Sequence, residues 1–338
     1  MRRIEAFTLG KKFDHPELNE DSMVIMPGLG YAVIDGVTDR NGTCYDGMLS
    51  GQFASRTVKR ALEHFLLGYK DPSQPFFHYR GPWALVRYLN SAIRRGYEAN
   101  NALAEAEADW RLRAGCTLMI AFNDGDYLQI VAVGDSGIRI NGSEILQPVK
   151  QIDDVTAILR LESWRFFESK GVPAKDCNRL AATLLLRGTQ NQEAGTETAA
   201  PDVVEIIEER VLSACKLRLP RVPEWELREL IHKGIANGQG DFQNVTDRVL
   251  GYGGLDGFSL PEKYIETRRY PLSDINTIEL FSDGYFELGL NFGVASWEES
   301  FRNVEFEDPH KIGRYMSTKG TTEAALTDDR TYLGVKFR

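Results

Sequence analysis

Apolar runs that end on acidic residues constrain this chain more than any other feature. TIELFSDGYFEL (277–288) climbs to a serine, stops on Asp283-Gly284 and resumes with aromatics and Glu287. One Asp-Gly reads as a turn, since Asp bonds its own backbone and Gly accepts positive φ. Here the pattern recurs. YAVIDGV ends on Asp35-Gly36 and QIVAVGDSG on Asp135-Ser136, while Asn19-Glu20-Asp21 precede SMVIM and Asp328-Asp329 precede the last apolar run. Each site has small neighbours that permit close backbone approach.

If these strand ends converge, their charge needs an answer. Two carboxylates ~4 Å apart repel by roughly 4 kcal/mol at an effective dielectric of about 20. A group of them must take up protons or bind cations. Hard divalent ions, Mg²⁺ or Mn²⁺, suit such oxygen donors. Zinc would recruit His or Cys, and none of the five histidines lies beside these acids. Paired hard cations are the usual machinery for attack on a phosphate ester.

The remaining sequence predicts an α+β protein. SMVIMPGLGYAVIDG reads as a hairpin of buried strands. GQFASRTVKRALEHFLLG has helical spacing with Gly68 as a stop, and a second helix begins at Pro82. CTLMIAF and YLQIVAVGDS flank Asn123-Asp124-Gly125-Asp126, a hairpin signal, and IRIN and EIL continue the meander. Residues 150–260 turn helical around a polar patch, RGTQNQEAGTETAAP (187–201), read as a mobile surface loop open to proteolysis. Strand character returns in YIETRRYPL and NTIELFSDG, SWEESFRNV reads as a helix, and TYLGVKFR closes the chain. Strands at both ends with helices between argue for antiparallel sheet on sheet, helices outside, in one domain (1–338) carrying a large insertion. The first and last strands are expected to pair centrally.

Composition narrows the partners. Over 338 residues the formal net charge is −9, which disfavours nucleic acid and anionic membrane surfaces. Cys44, Cys116, Cys177 and Cys215 stand far apart in no metal-like spacing. MRRIEAFTLGKKFD lacks an apolar core of signal-peptide length, and no run approaches the ~18 apolar residues of a membrane span. A cytoplasmic protein with reduced thiols is expected.

NEDS, VIDGV, GCTLMIAF, VGDSG, TDRVLGYGG, LFSDGYFEL and TDDRTYLGV occur in that order from about residue 19 to the C-terminus. Together they resemble the ordered motifs of the metal-dependent protein serine/threonine phosphatases, the PPM or type 2C family. The resemblance implies an α-β-β-α sandwich with a binuclear Mn²⁺/Mg²⁺ centre at one edge. It implies that Asp35 bridges both metals, that the Gly36 carbonyl binds one, and that Asp283 and Asp328 hold the other. Glu20 and Asp21 would bind directly or through waters. Asp135, with Asp283 and Glu287, matches the place of a third, weaker metal in many members, although Glu287 stands where Asp is usual. A metal-bridged water would attack phosphoserine or phosphothreonine in a phosphoprotein substrate, opposing a Ser/Thr kinase, with the enzyme a monomer. The helical insertion matches an enlarged flap.

The sequence departs from the family at several points. KKFDHPELNED lacks the phosphate-gripping arginine; Lys12 or His15 could substitute, though His15 also reads as a solvated loop residue. Val37 replaces a frequent His after Asp-Gly; Asp39 could serve in its place but also reads as a turn residue, and Asp329 replaces an Asn. GYGGLDG lacks the setting of a dinucleotide fingerprint, His64 reads as a packed or rim residue, and Phe76, Phe77, Tyr79 and Trp83 read as loop-to-core packing. Two other readings stay open: a weak or inactive binding protein of the same fold, and a phosphatase of small phosphoesters.

Overall fold

The computed structural model describes residues 3–38, 40–71, 73–74, 77–190 and 200–337. Asp39, Pro72, Pro75, Phe76 and residues 191–199 of the polar patch lie outside these. The chain divides into two compact units: residues 1–149, 253–303 and 324–338 form the first, and 150–252 with 304–323 the second.

Two five-stranded antiparallel sheets build the first unit. One has the order β1 (Arg3–Leu9), β12 (Arg330–Lys336), β11 (Thr277–Phe281), β8 (Gly137–Ile140) and β9 (Glu144–Leu146). The other has the order β10 (Glu266–Pro271), β7 (Tyr127–Val133), β6 (Leu118–Asp124), β3 (Gly30–Ile34) and β2 (Ser22–Met26). A two-stranded ribbon, β4 (Cys44–Tyr45) and β5 (Met48–Leu49), leads into helix α1 (Ser50–Gly68), which is followed by α2 (Pro82–Ala99) and α3 (Leu103–Ala108).

Side-chain alternation explains the layers. Tyr31 and Val33 of β3 share a core with Ile278 and Leu280 of β11 and Leu333 and Val335 of β12, so the sheets pack on each other. The opposite face of β3, Ala32 and Ile34, packs under Phe53, Val58 and Leu62 of α1 and Leu89 and Ile93 of α2. On the far side, Phe281 and Tyr332 meet Trp297 and Phe301 of α8 (Val294–Glu307), which begins in this unit. The resulting layers are helix, sheet, sheet, helix. Burial on both faces is why these strands read as continuous apolar runs. Phe77 and Tyr79 pack on the α1–α2 core as expected, and His64 is exposed on α1.

One of the two strands that pair with β12 was not visible in the sequence. The first strand read there, SMVIM, is β2, at an edge of the other sheet. Besides β11, β12 pairs with Arg3–Leu9, and that pair lies at one side of its sheet with β1 as the edge, not at the centre. As an edge strand, β1 keeps Arg3, Ala6, Thr8 and Leu9 exposed and so carries no long apolar run.

The second unit is helical: α4 (Gln151–Ser169), α5 (Ala174–Arg187), α6 (Pro201–Arg218) and α7 (Glu224–Gly238) close around Trp164, Leu184, Val211 and Leu230. Buried Arg160 of α4 donates to the carbonyls of His310 (2.8 Å) and Lys311 (3.1 Å), fastening the returning segment 304–323 to the bundle. The polar patch starts later than its composition indicated. Thr189 and Gln190 donate their N–H groups to Ile231 and His232 carbonyls at 2.9 and 3.2 Å. Gly188 and Gly234, both at positive φ, approach so closely that neither could carry a Cβ.

Candidate metal centre

Strand register brings the acidic ends to one edge. Ser22 pairs with Ile34, so Asp21 and Asp35 flank the same end of β2 and β3. Val33 pairs with Met119 and Leu118 with Val133, carrying that edge across to Asp135 just after β7. In the other sheet Phe281 pairs with Gly137 and with Tyr332, which sets Asp283 beside Asp135 and beside the entry to β12 at Asp328. Leu9 pairs with Arg330, so the residues after β1 arrive at the same place.

The electrostatics follow from the convergence. Burial first, then the charges of Asp21, Asp328 and Asp135, push the Asp35 carboxyl well above the usual carboxylate range. Asp283 is raised in the same way: withdrawal from water into the crowd of neighbours acts first, although part of its surface stays exposed, and Asp35, Asp135 and Asp328 add to it. Asp21 is pushed up to about 7 by burial and by Asp329, against the pull of Ser282 and Thr331. The hydroxyl of Ser282 donates to Asp21 Oδ2 at 2.8 Å.

Backbone packing fixes these carboxylates. A Cβ on Gly36 would lie 2.5 Å from the Gly51 carbonyl oxygen and 2.6 Å from that of Glu20. One on Gly284 would overlap the carbonyl of Asp329. The Asp-Gly steps are therefore close crossings of backbone, not only turns. Gly284→Ala is expected to cost about 1–3 kcal/mol of stability, as overpacked sites do, and to displace Asp283; a chemical-denaturation curve matching wild type would show that the crossing can relax.

Lys11 is the site residue that sequence reasoning missed. Its Nζ donates to Thr38 Oγ1 (2.7 Å), Glu20 Oε2 (2.9 Å), Asp328 Oδ1 (3.0 Å) and Asp329 Oδ2 (3.2 Å). Burial works against its charge, but Asp328, Glu20 and Asp329 outweigh that and hold the ammonium firmly protonated. Asp329 is buried and does more than replace an Asn. It accepts the backbone N–H of Lys11 at 2.6 Å and that of Glu20 at 3.1 Å, tying the end of β1 to the acidic edge. Had Arg3–Leu9 been recognised as a strand antiparallel to β12, its register alone would have led to Lys11. The other basic candidates lie elsewhere. The Lys12 side chain is exposed while its backbone bridges to Ala325, and exposed His15 pairs with Glu17 at 3.0 Å. Val37 is exposed and donates its N–H to Gly115. Glu287 is half-buried, its carbonyl accepting from Ser300.

Do these residues fit a hard cation? Glu20 and Asp21 are 2% and 8% exposed, yet Glu20 Oε1 and Asp21 Oδ1 have no hydrogen-bond partner. Buried carboxylate oxygens without partners are costly, and a cation would satisfy them. The converging donors are oxygens, as Mn²⁺ or Mg²⁺ requires. Among the described residues, however, no three or more His, Cys, Asp or Glu side chains already stand as a metal-ligand set. Lys11 holds Glu20 and Asp328.

Because Asp21, Asp35 and Asp283 are raised in the fold, they favour folding below the ordinary carboxylate pKa, and that contribution is lost as pH rises through their folded values. Without metal, the stability contributed by Asp21 should fall between about pH 4 and pH 7, by about 1.4 kcal/mol per unit of displacement. Thermal midpoints of wild type and Asp21→Asn in chelator should diverge across that window in favour of the variant; parallel curves would remove the cluster's pH linkage.

No helix among the described residues is long and apolar enough to cross a membrane. Neither a protein-family model nor a curated protein matches the sequence. Among solved structures the chain is similar to the serine/threonine phosphatase Stp1 from Staphylococcus aureus, at 13% identity and TM-score 0.46, over 100% of this chain and 96% of that one. It is also similar to the catalytic domain of serine/threonine protein phosphatase PstP in complex with two manganese ions, at 16% identity and TM-score 0.43, over 99% and 97% of the two chains. A third is PppA, described as a regulatory component of T6SS in Pseudomonas aeruginosa, at 13% identity and TM-score 0.41, over 99% and 97%.

Proposed function

We propose that this protein is a metal-dependent phosphatase that hydrolyses phosphoserine and phosphothreonine in proteins. The observation that carries the proposal is the meeting of Asp21, Asp35, Asp135, Asp283 and Asp328 at one sheet edge, beside unpartnered buried oxygens of Glu20 and Asp21. Asp35, Asp283 and Asp328, with the Gly36 carbonyl, would hold two Mn²⁺ or Mg²⁺ ions, with Glu20 and Asp21 beside them. Asp135 and Glu287 would take a third, weaker one. When bound, such ions supply water activation at neutral pH and neutralise charge on the phosphoryl oxygens.

The chain's own residues prepare that chemistry. Asp35 and Asp283, both raised by burial and by neighbouring acids, must be deprotonated to serve as anionic donors. Asp329 fixes the backbone of Glu20, and Ser282 orients Asp21 by donating to one carboxylate oxygen. In this reading water is the nucleophile, and the buried thiols offer no alternative. Burial pushes the thiols of Cys116 and Cys177 up and that of Cys215 to about 12, whereas a cysteine nucleophile needs a lowered pKa. The proposed setting is a cytoplasmic monomer opposing a Ser/Thr kinase, with the helical unit as the part that selects protein substrates.

A second reading, a weakly active or inactive binding protein, is favoured by one observation: Lys11 occupies Glu20 and Asp328. Hydrolysis of phosphoserine and phosphothreonine peptides beside a small aryl phosphate, in Mn²⁺, separates the readings. Activity on both with preference for the peptides is expected. Hydrolysis of the aryl phosphate alone would indicate a small-phosphoester enzyme, and hydrolysis of neither would favour the binding protein.

A further inference from the structure

The carboxylates at this edge already contain a cation, the ammonium of Lys11. Its position is set by backbone, not by a loosely held side chain. Gly10 packs so tightly that a Cβ there would lie 2.5 Å from the Pro16 carbonyl oxygen, which fixes the turn leaving β1. At Lys11 the N–H donates to Asp329 Oδ1 at 2.6 Å, and the carbonyl accepts from the Leu326 N–H at 2.8 Å. The side chain, 11% exposed, then reaches Glu20 Oε2 and Asp328 Oδ1 at 2.9 and 3.0 Å. One oxygen of Glu20 is thereby occupied while the other, Oε1, stays buried and unpartnered. It faces Gly51, where a Cβ would lie 2.6 Å from it.

We propose that Lys11 is a built-in competitor for divalent metal: its ammonium holds Glu20 and Asp328 in the metal-free protein, and loading of the site requires it to let go. This rests on the metal-centre reading above. An ammonium and a divalent ion cannot both sit within 3 Å of the same carboxylate oxygens without strong repulsion. The metal-free fold is thus stabilised against its own acids, and metal affinity is lowered by the fraction of time the site is closed. The four acceptors around Nζ exceed the three donors of an ammonium, so release costs the carboxylates their partner but leaves no donor that lacks an alternative in water.

The test is a calorimetric Mn²⁺ titration of wild type and Lys11→Met, with the lysine side-chain ammonium of wild type followed by ¹⁵N NMR during a Mg²⁺ titration. Lys11→Met should bind Mn²⁺ at least ~10-fold more tightly, the factor when the site is open in a tenth of molecules or fewer, and its metal-free form should melt earlier. In wild type, the Lys11 ammonium signal should lose its protection from exchange as Mg²⁺ saturates. Equal or weaker Mn²⁺ affinity in a folded Lys11→Met, or an unmoved ammonium signal at Mg²⁺ saturation, would overturn the inference. If the variant does not fold, the NMR titration of wild type decides alone. If neither wild type nor variant binds metal, the metal-centre reading itself falls, and the inference with it.

Discussion

Asp35→Asn or Asp283→Asn is expected to lower turnover at least ~10³-fold, the scale of losing a ligand to a metal that generates the nucleophile. The same changes should leave metal-free stability unchanged or raise it. Each removes a carboxyl held well above its ordinary pKa by burial and by neighbouring acids, so an amide relieves repulsion that the fold otherwise bears. Turnover and thermal midpoint must be read together. A variant that loses activity because it unfolds in chelator would mark the aspartate as a structural turn residue.

The second large effect concerns the ions themselves. Excess chelator should abolish hydrolysis of an aryl phosphate, and added Mn²⁺ or Mg²⁺ should restore it. The donors at the edge are carboxylates, and two of the histidines pair elsewhere: His15 with Glu17, and His232 with Glu208 at 2.8 Å. Restoration by Mn²⁺ and Mg²⁺ but not by a softer ion follows from that donor chemistry. Undiminished activity in chelator would mean that the carboxylates act without metal.

The core of the fold was legible in the sequence because its strands are buried on both faces. The β2–β3 and β6–β7 hairpins, the helices after residue 50 and from Pro82, and the strand ending at Phe281 all lie where apolar runs and turn residues placed them. The acidic ends were legible for the same reason, since each marks where an apolar run starts or stops. What stayed hidden was β1. Its exposed edge shows too little apolar pattern, and without it Lys11 was one lysine of a loop. The occupancy of Glu20 and Asp328 by that ammonium depends on a register between residues more than 300 positions apart, which no local pattern encodes. The start of the 187–201 patch was misjudged for a related reason. Its composition is polar, but Gly188 lets the backbone run against residues 231–234.

An equilibrium titration of the folded protein with Mn²⁺, counting ions bound per chain, tests the metal centre most directly. Two ions per wild-type chain are predicted, with loss or severe weakening of at least one in Asp283→Asn. A folded wild-type protein that takes up no Mn²⁺ would contradict the metal centre, and the phosphatase reading built on it.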